Sequence, residues 1–154
     1  MASVFPAPIR PALEATTYEE ACDVSFRACG KKMSRQAYYI MPKVREADRA
    51  MRPTLQKRVV EVHPEVTFWA LNRQQPMAYS KKKARGKEER LRVISPVFQD
   101  NLASLLTPSG AARDDLYDAC AVAWTASRLA SRRAQHLPSS PPVDSQGLRM
   151  EIAY

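Results

Sequence analysis

The run Ala119-Cys-Ala-Val-Ala-Trp124 is small and apolar nearly all round, and it lies inside the best helical pattern of the chain, about 112–133. A helix whose middle has no polar face is expected to be buried on more than one side and approached closely by its neighbours. Thr107-Pro108-Ser109-Gly110 supplies the turn that precedes it.

The remaining elements follow from local signals. Pro6, Pro8 and Pro11 keep residues 1–13 extended or turn-like. Thr17-Tyr-Glu-Glu20 reads as a capping box that opens a helix over about 18–29, and Gly30 closes it. Cys22 and Cys29 are seven apart, a helical spacing that places them in a core rather than in a redox pair. Ser34 opens a second helix, about 35–50, with Tyr38, Met41, Val44 and Met51 at helical spacing. Pro42 should kink it or divide it in two. Tyr38-Tyr39 is read as core, with stacking on a base as the alternative.

Lys57 to His63 is the clearest strand, because Val59, Val60 and Val62 are β-branched and Pro64 stops the ladder. Pro64 suits the first turn of a short helix over 65–71. Residues 72–85 read as loop, 87–94 as helix ended by Pro96, and 97–106 as another short helix. A final strand is expected near 148–153, with Leu148, Met150 and Ile152 facing inward. The fold class is thus α/β and helix-rich.

Length fits one domain over 1–154, and a chain of this size buries about 70% of its unfolded surface. Apolar residues at 45% and charged residues at 26% argue against wholesale disorder. No apolar run approaches the ~20 residues of a membrane-spanning helix, and the first residues have no signal-peptide pattern. Three cysteines without a CxxC pair point to a reducing, cytoplasmic setting, and two histidines make a His-rich metal site a poor expectation.

The net charge is +8, and it is uneven. Residues 52–92 carry 11 basic and 4 acidic side chains, whereas 1–51 carry 8 and 6, and 93–154 carry 5 and 6. Lys81, Lys82, Lys83 and Arg85 are the densest part of that excess. Such a stretch is either a solvated loop or a nucleic-acid contact. The acids of interest are Asp115 and Asp118, three apart at a helix start and so on one face. They either complement the helix dipole, with Asp114 as N-cap, or share a divalent cation such as magnesium. Glu61 in mid-strand either lies at a sheet edge or points to a metal, a basic group or a polar network. No Gly-rich phosphate loop, GxSxG or Cys/His nucleophile pattern is present.

Five motifs occur in order: Val4-Phe-Pro-Ala-Pro8; Gly30-Lys-Lys-Met-Ser-Arg-Gln-Ala37; Val60-Glu-Val-His-Pro-Glu65; Ser80-Lys-Lys-Lys83 with Gly86 and Arg90; and Asp114-Asp-Leu-Tyr-Asp-Ala119. With them the chain resembles, over essentially its whole length, a family of uncharacterised-domain proteins regarded as RNase H-like nucleases related to RuvC-type resolvases. The resemblance implies an RNase H-like domain and hydrolysis of phosphodiester bonds in DNA or RNA with Mg2+ or Mn2+. It makes Asp115 and Asp118 the first choices for metal ligands, with Glu61 as a further ligand or base, and puts Lys81, Lys82, Lys83 and Arg85 on phosphates. It also implies an incomplete domain. Family members carry upstream a Gly-Val-Asp-like strand with the first catalytic aspartate, and another strand with a further acid. A chain lacking them is expected to cleave slowly or not at all. The alternatives are a non-catalytic remnant that binds nucleic acid or a protein through the basic loop, and self-association through an exposed sheet edge.

Overall fold

A computed structural model describes residues 6–99, 102, 106 and 110–154. It is helix-rich with one small antiparallel sheet, and among the described residues no helix is long and apolar enough to cross a membrane. The chain forms two compact units that divide between Arg52 and Pro53. The helix expected at 97–106 and the turn at 107–110 fall largely outside the described residues.

In the first unit a 3-10 turn, Arg10–Glu14, leads into α1 (Tyr18–Cys29) and α2 (Arg35–Ala50). Thr17 caps α1 by accepting from the Glu20 N–H at 3.1 Å. Glu20 reaches one residue further back than a capping box predicts. It accepts from the Thr16 N–H at 2.8 Å and the Thr16 hydroxyl at 3.1 Å, and these donors hold its carboxyl below the usual value. Gly30 ends α1 at φ 71°, where a side chain would be strained. Ser34 caps α2 as expected, and α2 continues through Pro42 as one helix, not two. Ala12, Leu13, Ala21, Cys22, Ala37 and Met41 form the core of this unit. Cys29 is exposed rather than core, its thiol turned back onto the Ser25 carbonyl.

The second unit is built on α3 (Pro64–Leu71), α4 (Ala84–Phe98) and α5 (Arg113–Ala130). α5 packs on both α3 and α4, around Phe68, Ile94, Tyr117, Cys120 and Ala121. The hydroxyls of Thr67 and Thr125, both fully buried, meet at 2.9 Å between α3 and α5. α5 is buried on one face only, at Tyr117, Cys120, Ala121 and Thr125, not on several. Ala119, Val122 and Ala123 face solvent. They are small, so exposing them sacrifices little apolar burial. The α5 N-cap is Ala112, and Asp114 and Asp115 lie in the first turn. α4 starts earlier and ends later than expected, with Pro96 inside it.

The strand expected at 57–63 does not form. Leu55–Lys57 is a 3-10 turn, and the amides of both Arg58 and Val59 donate to the Leu55 carbonyl. Spent on that turn, they have nothing left for a ladder, and β-propensity is overridden. Only Val62 pairs, through one parallel bridge to Ala153. The sheet itself is β1 (His136–Leu137) against β2 (Ile152–Ala153). The terminal strand is shorter than expected for a similar reason. The Leu148 amide donates to the Asp144 carboxylate and the Arg149 amide to the Gln56 side chain. Leu148 is buried, but Met150 is exposed.

Candidate functional site

The buried positions of α4 are Gly86, Glu89, Arg90 and Ile94, a helical spacing that places two charged residues where apolar ones belong. Each has a reason to be there. At Gly86 an added Cβ would run into the backbone of Ser80, with the carbonyl carbon only 2.6 Å away. Glycine therefore lets the 78–80 segment lie directly on the helix. Glu89 accepts from the N–H groups of Ala78 and Tyr79 at 2.8 and 3.1 Å. Arg90, 2% exposed, donates to the Tyr79 carbonyl at 3.1 Å and the Gly86 carbonyl at 2.9 Å. Its other terminal nitrogen donates to both oxygens of Glu65 at 2.7 and 2.8 Å, and its guanidinium lies 5.3 Å from the Phe68 ring centre. One nitrogen thus bridges both carboxylate oxygens, and hydrogen bonds between two charged groups are stronger than neutral ones.

This grip fixes where the next residue goes. Lys81 meets Asp118 of α5, Nζ to Oδ2 at 2.5 Å, with side chains 34% and 19% exposed. The hydrogen bond to Asp118 pushes the Lys81 ammonium above its usual pKa. Burial opposes this, while the charges of Asp118, Glu65 and Asp114 add to it. Glu65, Arg90, Lys81 and Asp118 thus form one charged cluster spanning α3, α4 and α5.

The structure brings together one pair of the residues expected to carry chemistry, Lys81 and Asp118. Asp115 is exposed. Glu61 is exposed too, its carbonyl accepting from the Ala153 N–H at 2.9 Å. The carboxylate acting on Lys81 from α3 is that of Glu65, and Glu61 is not among its charged neighbours. Lys82, Lys83 and Arg85 are exposed at the start of α4, with the Arg85 guanidinium 5.8 Å from the Tyr79 ring centre. Among the described residues no three His, Cys, Asp or Glu side chains are placed to share a metal ion. Asp118 alone retains a buried carboxylate oxygen, Oδ1, with no hydrogen-bond partner among them. These donors do not assemble a magnesium site by themselves.

Reading the sequence for function singled out neither Glu65 nor Glu89, and took Gly86 and Arg90 only as parts of a motif. The usable signal was the pair Glu89-Arg90 in phase with Gly86 and Ile94.

The ion pair has a pH signature. The folded chain binds the Lys81 proton more tightly than the unfolded chain. The stabilisation is therefore complete below the unfolded lysine value of about 10.4, and is lost as pH rises through the raised folded value. Partly exposed, the pair is worth at most about 1 kcal/mol. Thermal melts of wild type and Lys81→Met are expected to differ by a constant amount at neutral pH and to converge in alkali. A gap that persists in strong alkali would show that the contact does not depend on charge.

A family model described as a protein of unknown function, DUF429, matches residues 1–143. No curated protein and no solved structure matches the chain.

Proposed function

Since the chain belongs to the DUF429 family, whose description assigns no activity, we propose from the geometry that it binds nucleic acid through Lys82, Lys83 and Arg85. The observation that carries this is the position of these three exposed cations at the start of α4, on a segment held in place by Glu89 and Arg90. The first turn of α4 has no acidic residue, and its N-cap Lys83 makes no side-chain cap. A helix start of this kind favours a phosphate group through its dipole and its amides. Lys81 is committed to Asp118, so it steadies the segment instead of joining the phosphate contacts.

A second reading is favoured by the unpartnered Oδ1 of Asp118 beside Glu65 and Lys81. In it the chain is part of an RNase H-like, magnesium- or manganese-dependent nuclease, and Asp118 with Asp115 supplies ligands once further carboxylates are brought in. One experiment addresses both. Labelled single strands and duplexes are titrated with wild type and with Lys82→Ala/Lys83→Ala/Arg85→Ala at several salt concentrations, with magnesium or with chelator. The expected result is salt-sensitive binding without cleavage. In the triple variant the salt slope on duplex DNA should flatten by up to about 0.9 per lost phosphate contact. Binding indifferent to the three substitutions would overturn the first reading. Magnesium-dependent cleavage abolished by Asp118→Asn would establish the second.

A further inference from the structure

The first unit holds a cleft of about 560 Å³ whose lining residues all belong to that unit. Its walls include Tyr38, Tyr39 and Pro42 from α2, Arg45 and Arg49 one and two turns further along, and Glu14 from the 3-10 turn. The volume is within the range of small-molecule sites. Three observations bear on what fits there. First, Tyr39 is 71% exposed, so a large aromatic face is offered to solvent. Second, that ring is backed by two further tyrosines, tilted and edge-on to one another. Tyr38 lies 6.2 Å from Tyr39, donates its hydroxyl to the Thr16 carbonyl at 3.2 Å, and meets Tyr18 edge-on at 5.5 Å. Third, the charged residues on the walls are two arginines and one carboxylate. Arg45 is tied to the Leu13 carbonyl at 2.7 Å, whereas Arg49 is exposed.

We propose that this cleft receives an unpaired nucleobase with its phosphate, the base against Tyr39 and Pro42 and the phosphate toward Arg49. A flat, weakly hydrated π-face is what an exposed tyrosine beside a proline ring accommodates, and a neighbouring guanidinium selects an anionic ligand over a neutral aromatic one. Stacking tolerates any base, so little sequence preference is expected. The ligand chemistry is that of the nucleic-acid reading above, but the residues are separate. Each can therefore fail alone.

The test uses the full chain and three probes: a 12-nucleotide single strand, the same strand with abasic sites throughout, and free adenosine monophosphate. The abasic strand keeps the phosphates and lacks only the bases. Wild type is expected to bind the base-bearing strand about tenfold more tightly than the abasic one, the size of one good stacking contact. Tyr39→Ala should erase that ratio and Tyr39→Phe should preserve it. Arg49→Gln should weaken both strands. The Lys82/Lys83/Arg85 variant should lose affinity for both strands while keeping the ratio, so failure of the basic-segment reading leaves this one standing. Competition by the free nucleotide, lost in Tyr39→Ala, supports the cleft as a mononucleotide site. A base-dependent ratio without such competition supports a strand. Equal binding of both strands by wild type with no competition by the nucleotide, or a ratio unchanged in Tyr39→Ala, overturns the proposal. Tyr39 is largely exposed, so unchanged circular dichroism and melting are expected for both tyrosine variants.

Discussion

Arg90→Met is expected to lose about 3–5 kcal/mol of stability, the usual cost of removing one member of a buried ion pair. Four contacts disappear together: both Glu65 oxygens and the carbonyls of Tyr79 and Gly86. Methionine fills much of the space beside Phe68 but offers no donor. The Glu65 carboxylate, 22% exposed, is then left beside an apolar neighbour. For a chain of this size the loss corresponds to a fall of roughly 10 °C in Tm, readable by calorimetry. Adding Glu65→Leu should recover part of it, since an apolar pair of similar volume avoids desolvating a charge. A single variant that melts within about 2 °C of wild type would show that the guanidinium does not hold this unit together.

Gly86→Ala is expected to cost about 3 kcal/mol, at the upper end of overpacking effects, because the obstacle is backbone and not a side chain that can swing away. The Ser80 carbonyl has to retreat, and Lys81 follows it. The substitution should therefore also uncouple Lys81 from Asp118. The variant's melting profile should lose the alkaline decline that the pair gives wild type, and so resemble Lys81→Met. Melts of wild type, Gly86→Ala and Lys81→Met across the lysine titration range check this. An alanine variant as stable as wild type would show that the 78–80 segment does not press on α4.

The parts of the fold legible in the sequence were those fixed by local chemistry. Thr17, Gly30, Ser34 and Pro64 mark ends of α1, α2 and α3, because capping and proline geometry act within a few residues. The strand at 57–63 was misread because its valines speak only to propensity. Which carbonyl takes the Arg58 and Val59 amides is decided by the turn at Leu55. The same limit applies to the charged cluster. Asp118 was legible as a carboxylate with chemical potential, but its partner Lys81 lies 37 residues away, and Arg90 lies 25 from Glu65. No helical or strand period reports contacts of that separation. Burial of α5 on one face was also invisible, since alanines read as apolar whether or not anything covers them.

The exchange between Gln56 and Arg149 ties residues 93 apart, with the Gln56 side chain donating to the Arg149 carbonyl at 2.7 Å and accepting from its amide at 2.9 Å. A contact of that span returns nothing until the loop between its ends has closed, at an entropy cost that rises with the logarithm of loop length. If α3, α4 and α5 pack first and shorten that path, the clasp is expected to form late, slowing the unfolding of the second unit more than it speeds its folding.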